Sequence, residues 1–291
     1  MSAVIQEAVR PRAVERVLGS EVAPVGTFTV RRALPARERH SIGPWVFLDH
    51  FGPFKVKPGH DGVGPHPHAG IETVTYLFSG RNQHRDSAGH TGIVAAGGAQ
   101  WMTAGRGIIH AERPLAETDD ELTMHGLQLW TSLPRLSKLG APRYQRLEAA
   151  AIAAFERDGV QVRVVAGELA GLRGPAEVLM PLVLAHLTLQ PGARFEARLP
   201  EAFEAGAYVV SGEARVGGEA VREGELAVLA QGEGAVAIAN ASQATLEVML
   251  LGGTPAEGPL VFHGPFVMNS VEQVRAADVA YRTGRMGTLE E

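Results

Sequence analysis

Short apolar runs separated by glycine-rich turns recur along the whole chain, and most are dense in β-branched and aromatic residues, a pattern that predicts strands. In the first half such runs fall at 25–35 (VGTFTVRRALP), 44–48 (PWVFL), 71–78 (IETVTYLF), 92–96, 99–103, 106–111 and 122–130. A Gly/Pro-rich stretch from Gly52 to Pro65 reads as a loop. In the second half the runs are 160–167, 181–189, 207–212, 225–230, 235–240 and 245–253. This spacing is that of antiparallel barrels or sandwiches. Two segments depart from it. The alanine-rich stretch from Glu148 to Glu156 predicts a helix by propensity, and Ser270 to Tyr281 predicts a second, with Val271, Val274 and Val279 partly on one face.

The two halves share features. Tyr208-Val-Val-Ser-Gly212 repeats Tyr76-Leu-Phe-Ser-Gly80, and the turn at Gly224 resembles that at Gly98. A diverged internal duplication accounts for both and divides the chain into units of 1–147 and 148–291.

Composition narrows the function classes. With 291 residues and 45% apolar content the chain can bury two cores. A net charge of −5, with both signs interleaved, leaves no basic face for direct nucleic-acid binding. The N-terminal MSAVIQEAVRPRAVERV lacks the apolar core of a signal peptide, and no run is long enough to span a bilayer; the expectation is a cytoplasmic protein without membrane contact. The absence of cysteine excludes disulfides, thiolate metal sites and cysteine nucleophiles. No phosphate-binding loop, nucleophile elbow or dinucleotide fingerprint is present.

Histidine is the informative residue. Of the 11 histidines, those at 40, 50, 60, 66, 68, 84, 90, 110 and 125 all lie in the first half. In extended backbone, His66-Pro67-His68 presents two imidazoles on one face, and His110-Ala111-Glu112 repeats that geometry with a carboxylate. An isolated His-x-His is more often packing or surface. Two such pairs on strands of one barrel can converge on a single divalent ion with three nitrogens and one carboxylate. His84, His90 and His125 either lie near a pocket mouth or are solvated loop histidines, with the loop reading preferred, and His186 and His263, isolated in the second half, read as packing or surface residues. Phe51, Phe54, Trp101 and Met124 either line a pocket or fill a core, with core the better reading for Trp101.

Around these pairs the stretch His66-Pro-His-Ala-Gly-Ile-Glu-Thr-Val-Thr-Tyr76 is followed by Gln100-Trp-Met-Thr-Ala-Gly105 and Gly107-Ile-Ile-His-Ala-Glu112. Leu48-Asp-His-Phe-Gly-Pro53, Gln128-Leu-Trp130, Pro142-Arg-Tyr-Gln145 and Gly264-Pro-Phe-Val-Met-Asn269 complete the pattern. The chain resembles the pirin family of the cupin superfamily over nearly its whole length. That resemblance implies an all-β fold of two stacked cupin barrels with short helices, and one metal site in the first barrel, held by His66, His68, His110 and Glu112. It implies Fe(II) as the metal, although this donor set also accepts Mn, Co, Ni, Cu or Zn. Glu72 stands where many cupins carry their carboxylate ligand. It is open to three readings: ligand, hydrogen-bonding base beside the metal, or strand residue bonded to a neighbour; the second is preferred.

The resemblance extends to bacterial quercetin 2,3-dioxygenases. It implies ring-opening of a flavonol or similar small aromatic enol with O2, with Glu112 or Glu72 as the base. The alternative it implies is a non-enzymatic, redox-sensing iron protein that contacts a transcription regulator or metabolic enzyme. Aligning the internal repeat places Val236 and Ile238 where His110 and Glu112 stand, and Arg198 and Pro200 where His66 and His68 stand, so the second barrel is expected to lack a metal site.

Overall fold

The computed structural model describes residues 10–26, 28–116 and 121–290; the start of the N-terminal segment read above, residues 1–9, lies outside them. Its architecture is all-β, as expected, built twice on one plan. Each copy faces a seven-stranded antiparallel sheet with a four-stranded one. In the first copy the large sheet runs Arg143–Leu147, Ala99–Thr103, Ile71–Ser79, Leu122–Ser132, Trp45–Val56, Phe28–Leu34, Glu21–Val25, and the small one Val63–His68, Ile108–Pro114, Arg81–Asp86, Thr91–Ala95. The second copy runs Val14–Gly19, Glu225–Leu229, Glu204–Ser211, Leu246–Gly253, Leu182–Leu189, Val160–Ala166, Ala153–Arg157, with a small sheet of Arg194–Arg198, Ala235–Asn240, Glu213–Val216, Glu219–Arg222.

The chain ends are exchanged between the copies. Strand Val14–Gly19 pairs with Glu225–Leu229 at the edge of the second large sheet. The C-terminal segment returns to the first barrel: Phe266 bridges to Ala69, and Val267 donates its N–H to the Ala69 carbonyl. The buried Lys138 ammonium fastens this strap, donating to the carbonyls of Gly70 (2.8 Å) and Val267 (2.7 Å) and to the Ser132 hydroxyl (2.8 Å). Helix Val271–Arg282, capped by the Ser270 side chain on the N–H of Gln273, packs Val274 and Ala277 beside Ile109 and Met286.

The stretch 148–156 is not helical. After a single turn at Ala149–Ala151 it becomes the edge strand Ala153–Arg157, paired with Val160–Ala166. Alanine propensity is a weak preference, and an unfilled sheet edge next in sequence outweighs it. The stretch 52–65 is likewise only partly loop. Gly52, at φ +81°, sits where the register against Met124 and Gly126 shifts; beyond this bulge the strand resumes to Val56. A Cβ on Gly52 would stand 2.1 Å from the Met124 carbonyl oxygen, so glycine is required there.

The main core lies between the two large sheets and draws on both copies, with Trp45, Val74, Trp101 and Leu129 meeting Leu184, Tyr208 and Met249. Within it the duplication is visible residue by residue. Leu127 pairs with both His50 and Tyr76, and Met249 with both His186 and Tyr208. His50 Nδ1 lies 2.9 Å from the Tyr208 hydroxyl, and His186 Nδ1 lies 3.0 Å from the Tyr76 hydroxyl. Each barrel thus offers its histidine to the other's tyrosine. The outer nitrogens differ: His50 Nε2 meets His125 Nε2 at 2.7 Å, whereas His186 Nε2 meets the Glu247 carboxylate at 2.5 Å. His125 and His186 are therefore inter-barrel residues, and the loop reading of His125 does not hold.

The interiors of the two copies diverge. The second is filled by side chains such as Phe195, Ala197, Val236 and Ile238. Val236 stands across from Ala197, one position away from the Arg198 that the repeat alignment selects, and Ile238 across from Phe195. The apolar side chains there leave no donor for a metal.

Candidate metal centre

In the first copy the same interior is hollow. Strands Val63–His68 and Ile108–Pro114 run antiparallel with His110 opposite His66 and Ile108 opposite His68. Alternation then turns all three imidazoles into the barrel, where their donor atoms lie within 4.8 Å of one another. Ring centroids are 4.3 Å apart for His66 and His110, and 4.9 Å for each pair involving His68.

The ring nitrogens divide into two kinds. His66 Nδ1 is 2.8 Å from the Gly64 carbonyl oxygen, and His68 Nδ1 is 3.3 Å from the Pro265 carbonyl oxygen. His110 Nδ1 faces His84 Nδ1 at 3.4 Å. In contrast, Nε2 of His68 and Nε2 of His110 are buried with no hydrogen-bond partner. Buried polar atoms are seldom left unpaired, and two of them converging with a third imidazole fit a metal ion, which takes neutral imidazole nitrogen. Burial, reinforced by the neighbouring histidines, pushes His68 down to about 3 and His110 well below the usual histidine range, so both present free lone pairs.

Glu112 is not among the three residues whose donor atoms cluster. The register of its strand shifts between His110 and Glu112, and its carboxylate is held by other side chains. Oε1 accepts from the Thr75 hydroxyl (2.6 Å), Asn82 Nδ2 (3.1 Å) and Gln100 Nε2 (3.4 Å), and Oε2 accepts from Gln128 Nε2 (3.2 Å). Glu72 is farther removed. On strand Ile71–Ser79 it shares a face with Val74 and Tyr76, which belong to the inter-barrel core, while Thr75 points into the barrel. It is buried between the Thr103 hydroxyl (2.7 Å) and the Thr131 hydroxyl (3.2 Å); burial pushes it up despite these bonds.

Two of the three histidines, His66 and His68, line a cavity of about 540 Å³. Its walls are aromatic and aliphatic, with Phe28, Phe47, Phe51, Phe54, Met124 and Trp130 prominent, while Glu112, Thr75, Asn82 and Gln128 supply a polar corner. Trp101 is instead fully buried in the inter-barrel core. One wall is an ordered stack. Phe47 lies flat on Trp130 (centroids 4.0 Å, 11°), Trp130 meets His68 edge-on at 4.9 Å, and the Arg32 guanidinium covers Phe47 at 4.7 Å. Arg32 in turn holds Asp49 through two hydrogen bonds of 2.8 and 2.7 Å. Gly264 and Pro265 of the C-terminal strap close another side.

Several of these residues carry no local signature. Arg32 and Phe47 read as ordinary strand positions, Asp49 stands in the family pattern without a role read from it, and Pro265 comes from a segment nearly 200 residues from His68. His84, read as a loop histidine, is a buried strand residue facing the same interior. The one available signal was its spacing of two from Asp86, the same spacing that marks the ligand pairs.

The family model for Pirin matches residues 27–131, and that for the Pirin C-terminal cupin domain matches residues 184–287. A pirin-like protein of Solanum lycopersicum is 37% identical over 282 residues, 96% of this chain and 94% of that one. Human pirin is 36% identical, covering 89% of this chain and 88% of its own. Among solved structures, a quercetin 2,3-dioxygenase from Acinetobacter baumannii superposes with a TM-score of 0.86 at 31% identity over 94% of this chain and 91% of that chain. The bacterial pirin YhhW of Escherichia coli, in complex with nickel(II), shares the fold (TM-score 0.64, 21% identity, 83% of this chain and 99% of that one). Matched in both halves and along almost its full length, the chain belongs to the pirin family.

Proposed function

We propose that the protein is a metal-dependent dioxygenase of a flavonol or similar planar aromatic enol, with Fe(II) as the metal. The observation that carries this reading is the 540 Å³ aromatic cavity lined by His66 and His68, two of the three converging imidazoles. Its size and apolar walls with one polar corner suit a flat ligand of drug-like dimensions. The similarity to the Acinetobacter baumannii structure named as a quercetin 2,3-dioxygenase supports the same class of substrate.

His66, His68 and His110 would hold the metal, with Glu112 as its fourth ligand from the adjoining wall. When bound, a divalent redox metal supplies Lewis acidity and a route for electrons between substrate and O2. The chain's own residues do the rest. The Phe47–Trp130 stack forms one wall along which the planar substrate is oriented, and the surrounding apolar side chains exclude water. Glu112 takes the proton of the enol hydroxyl. Its Oε2, which accepts one hydrogen bond where Oε1 accepts three, is the oxygen with capacity to spare.

The test is anaerobic reconstitution with Fe(II), quantification of bound metal, and O2 uptake with a panel of flavonols and enols, with His110→Ala as control. Uptake that requires metal, substrate and His110 supports the dioxygenase. Tight metal binding without uptake refutes it and favours the alternative of a redox-sensing protein that contacts a partner.

A further inference from the structure

Behind His110, on the side away from the cavity, a polar chain runs to the surface. His84 Nε2 lies 3.0 Å from Asp86 Oδ2, and His90 Nδ1 lies 3.0 Å from the same oxygen. Asp86 Oδ1 also accepts the backbone N–H groups of Ala88 (2.9 Å) and His90 (3.0 Å). Asp86 is fully buried at its side chain, whereas that of His90 is 38% exposed. Cross-strand register sets the row: Asp86 stands opposite His110, and His84 opposite Glu112. Tyr144 fixes the plane of His84, lying against it at 4.4 Å and 13°, with its own hydroxyl donating to Gln100 Oε1 at 3.0 Å.

Proton placement along this row follows from donor and acceptor capacity. Every group around the Asp86 carboxylate is a donor or a ring nitrogen able to donate, so Asp86 acts as acceptor throughout. His84 must then carry its proton on Nε2, and its Nδ1 is left with a lone pair. The ring nitrogen facing that lone pair is His110 Nδ1, which must supply the hydrogen. That places the proton of His110 on Nδ1 and frees Nε2, the atom found buried without a partner in the cluster of imidazoles.

We propose that Asp86, acting through His84, holds His110 in the tautomer that offers Nε2 to the metal, and that Asp86 and His84 are positioning residues for the metal centre. His66 and His68 obtain the same tautomer from single backbone carbonyls. His110 has no such carbonyl and depends on a two-residue relay. The proposal concerns metal binding and stands whether the protein is a dioxygenase or a redox sensor.

Two measurements decide it. The first is long-range ¹H–¹⁵N NMR of the ring nitrogens in the full-length, metal-free protein at neutral pH. The expected result is His84 protonated at Nε2 and His110 at Nδ1; the opposite tautomers in the unsubstituted protein overturn the proposal without any variant. The second is Asp86→Asn. Its amide can donate to His84 Nε2, reversing the relay and placing the His110 proton on Nε2. Affinity for Co(II), measured by competition with a chelator, is expected to fall roughly 10- to 100-fold, the range for loss of a carboxylate supporting a metal-bound histidine. The His110 Nε2–H signal is expected to grow in parallel, and Asp86→Glu to restore part of both. Unchanged tautomer and unchanged Co(II) affinity in a folded Asp86→Asn protein refute it. So does a fall in affinity with the His110 tautomer unmoved, which marks a merely structural effect.

Discussion

His50 is a neutral imidazole sealed between the barrels, and its environment sets a cost for acid. It is 2% exposed. Burial, followed by the neighbouring His125 and then Arg31, pushes it down to about 3. In the unfolded chain it titrates near its ordinary value of about 6.5. The folded value is the depressed one, so the unfolded state takes up the proton first. Stability is therefore lost as pH falls below about 6.5 and continues to fall until about 3. One pH unit of this window is worth about 1.36 kcal/mol, so between pH 7 and pH 5 a single such histidine removes about 2 kcal/mol. In His50→Gln that proton uptake is gone, while the amide keeps groups able to bond Tyr208 and His125. Urea unfolding of both metal-free proteins, followed by tryptophan fluorescence at pH 7 and pH 5, reads the difference. The unsubstituted protein is expected to lose about 2 kcal/mol more than His50→Gln over that interval. Losses equal to within about 0.5 kcal/mol, the usual tolerance of such comparisons, refute a neutral His50 at the interface.

The remaining expectations concern the site and the strap. His66→Ala and His110→Ala should each lose most of the bound metal by elemental analysis, whereas Glu72→Gln, which faces the inter-barrel core, should retain it; full occupancy in either histidine variant contradicts the ligand assignment. Glu112→Gln separates two roles: a drop in metal content marks a ligand, and intact metal with lost O2 uptake marks a base alone. Lys138→Met leaves the Gly70 and Val267 carbonyls and the Ser132 hydroxyl without their buried donor. It should cost on the order of 3 kcal/mol, with hydrogen exchange accelerating first in residues 260–290.

Much of this was legible in the sequence because it follows from local pattern. Glycine punctuation and β-branched runs located the interior strands, and spacing-two histidines on strands marked the metal centre before any register was known. Polar and short strands were not legible. Arg81–Asp86, inside the small sheet, is polar throughout, and the edge strands Arg143–Leu147 and Arg194–Arg198 alternate too briefly to stand out; all three become strands only because a neighbouring strand is there to pair with. The helix expected at 148–156 failed for the same reason in reverse, its local preference giving way to an adjacent sheet. The three histidines that cluster were readable, and Glu112, expected with them, lies outside the cluster. The groups that orient and enclose the histidines were not readable, because His84, Pro265 and the Arg32–Asp49 pair acquire their places only through tertiary contact.

The exchange of chain ends also imposes an order on synthesis. Strand Val14–Gly19 leaves the ribosome early, but the edge it occupies, Glu225–Leu229, is made some 200 residues later, so it must wait unpaired while the first barrel forms. That barrel, in turn, lacks the carbonyl that orients His68 and one wall of its cavity until Pro265 has emerged. A nascent chain therefore holds all three histidines long before it holds a finished site. Ribosome-bound chains stalled before residue 260 should bind the metal weakly, making metal loading a late, nearly post-synthetic event and a built-in check that the whole polypeptide has been completed.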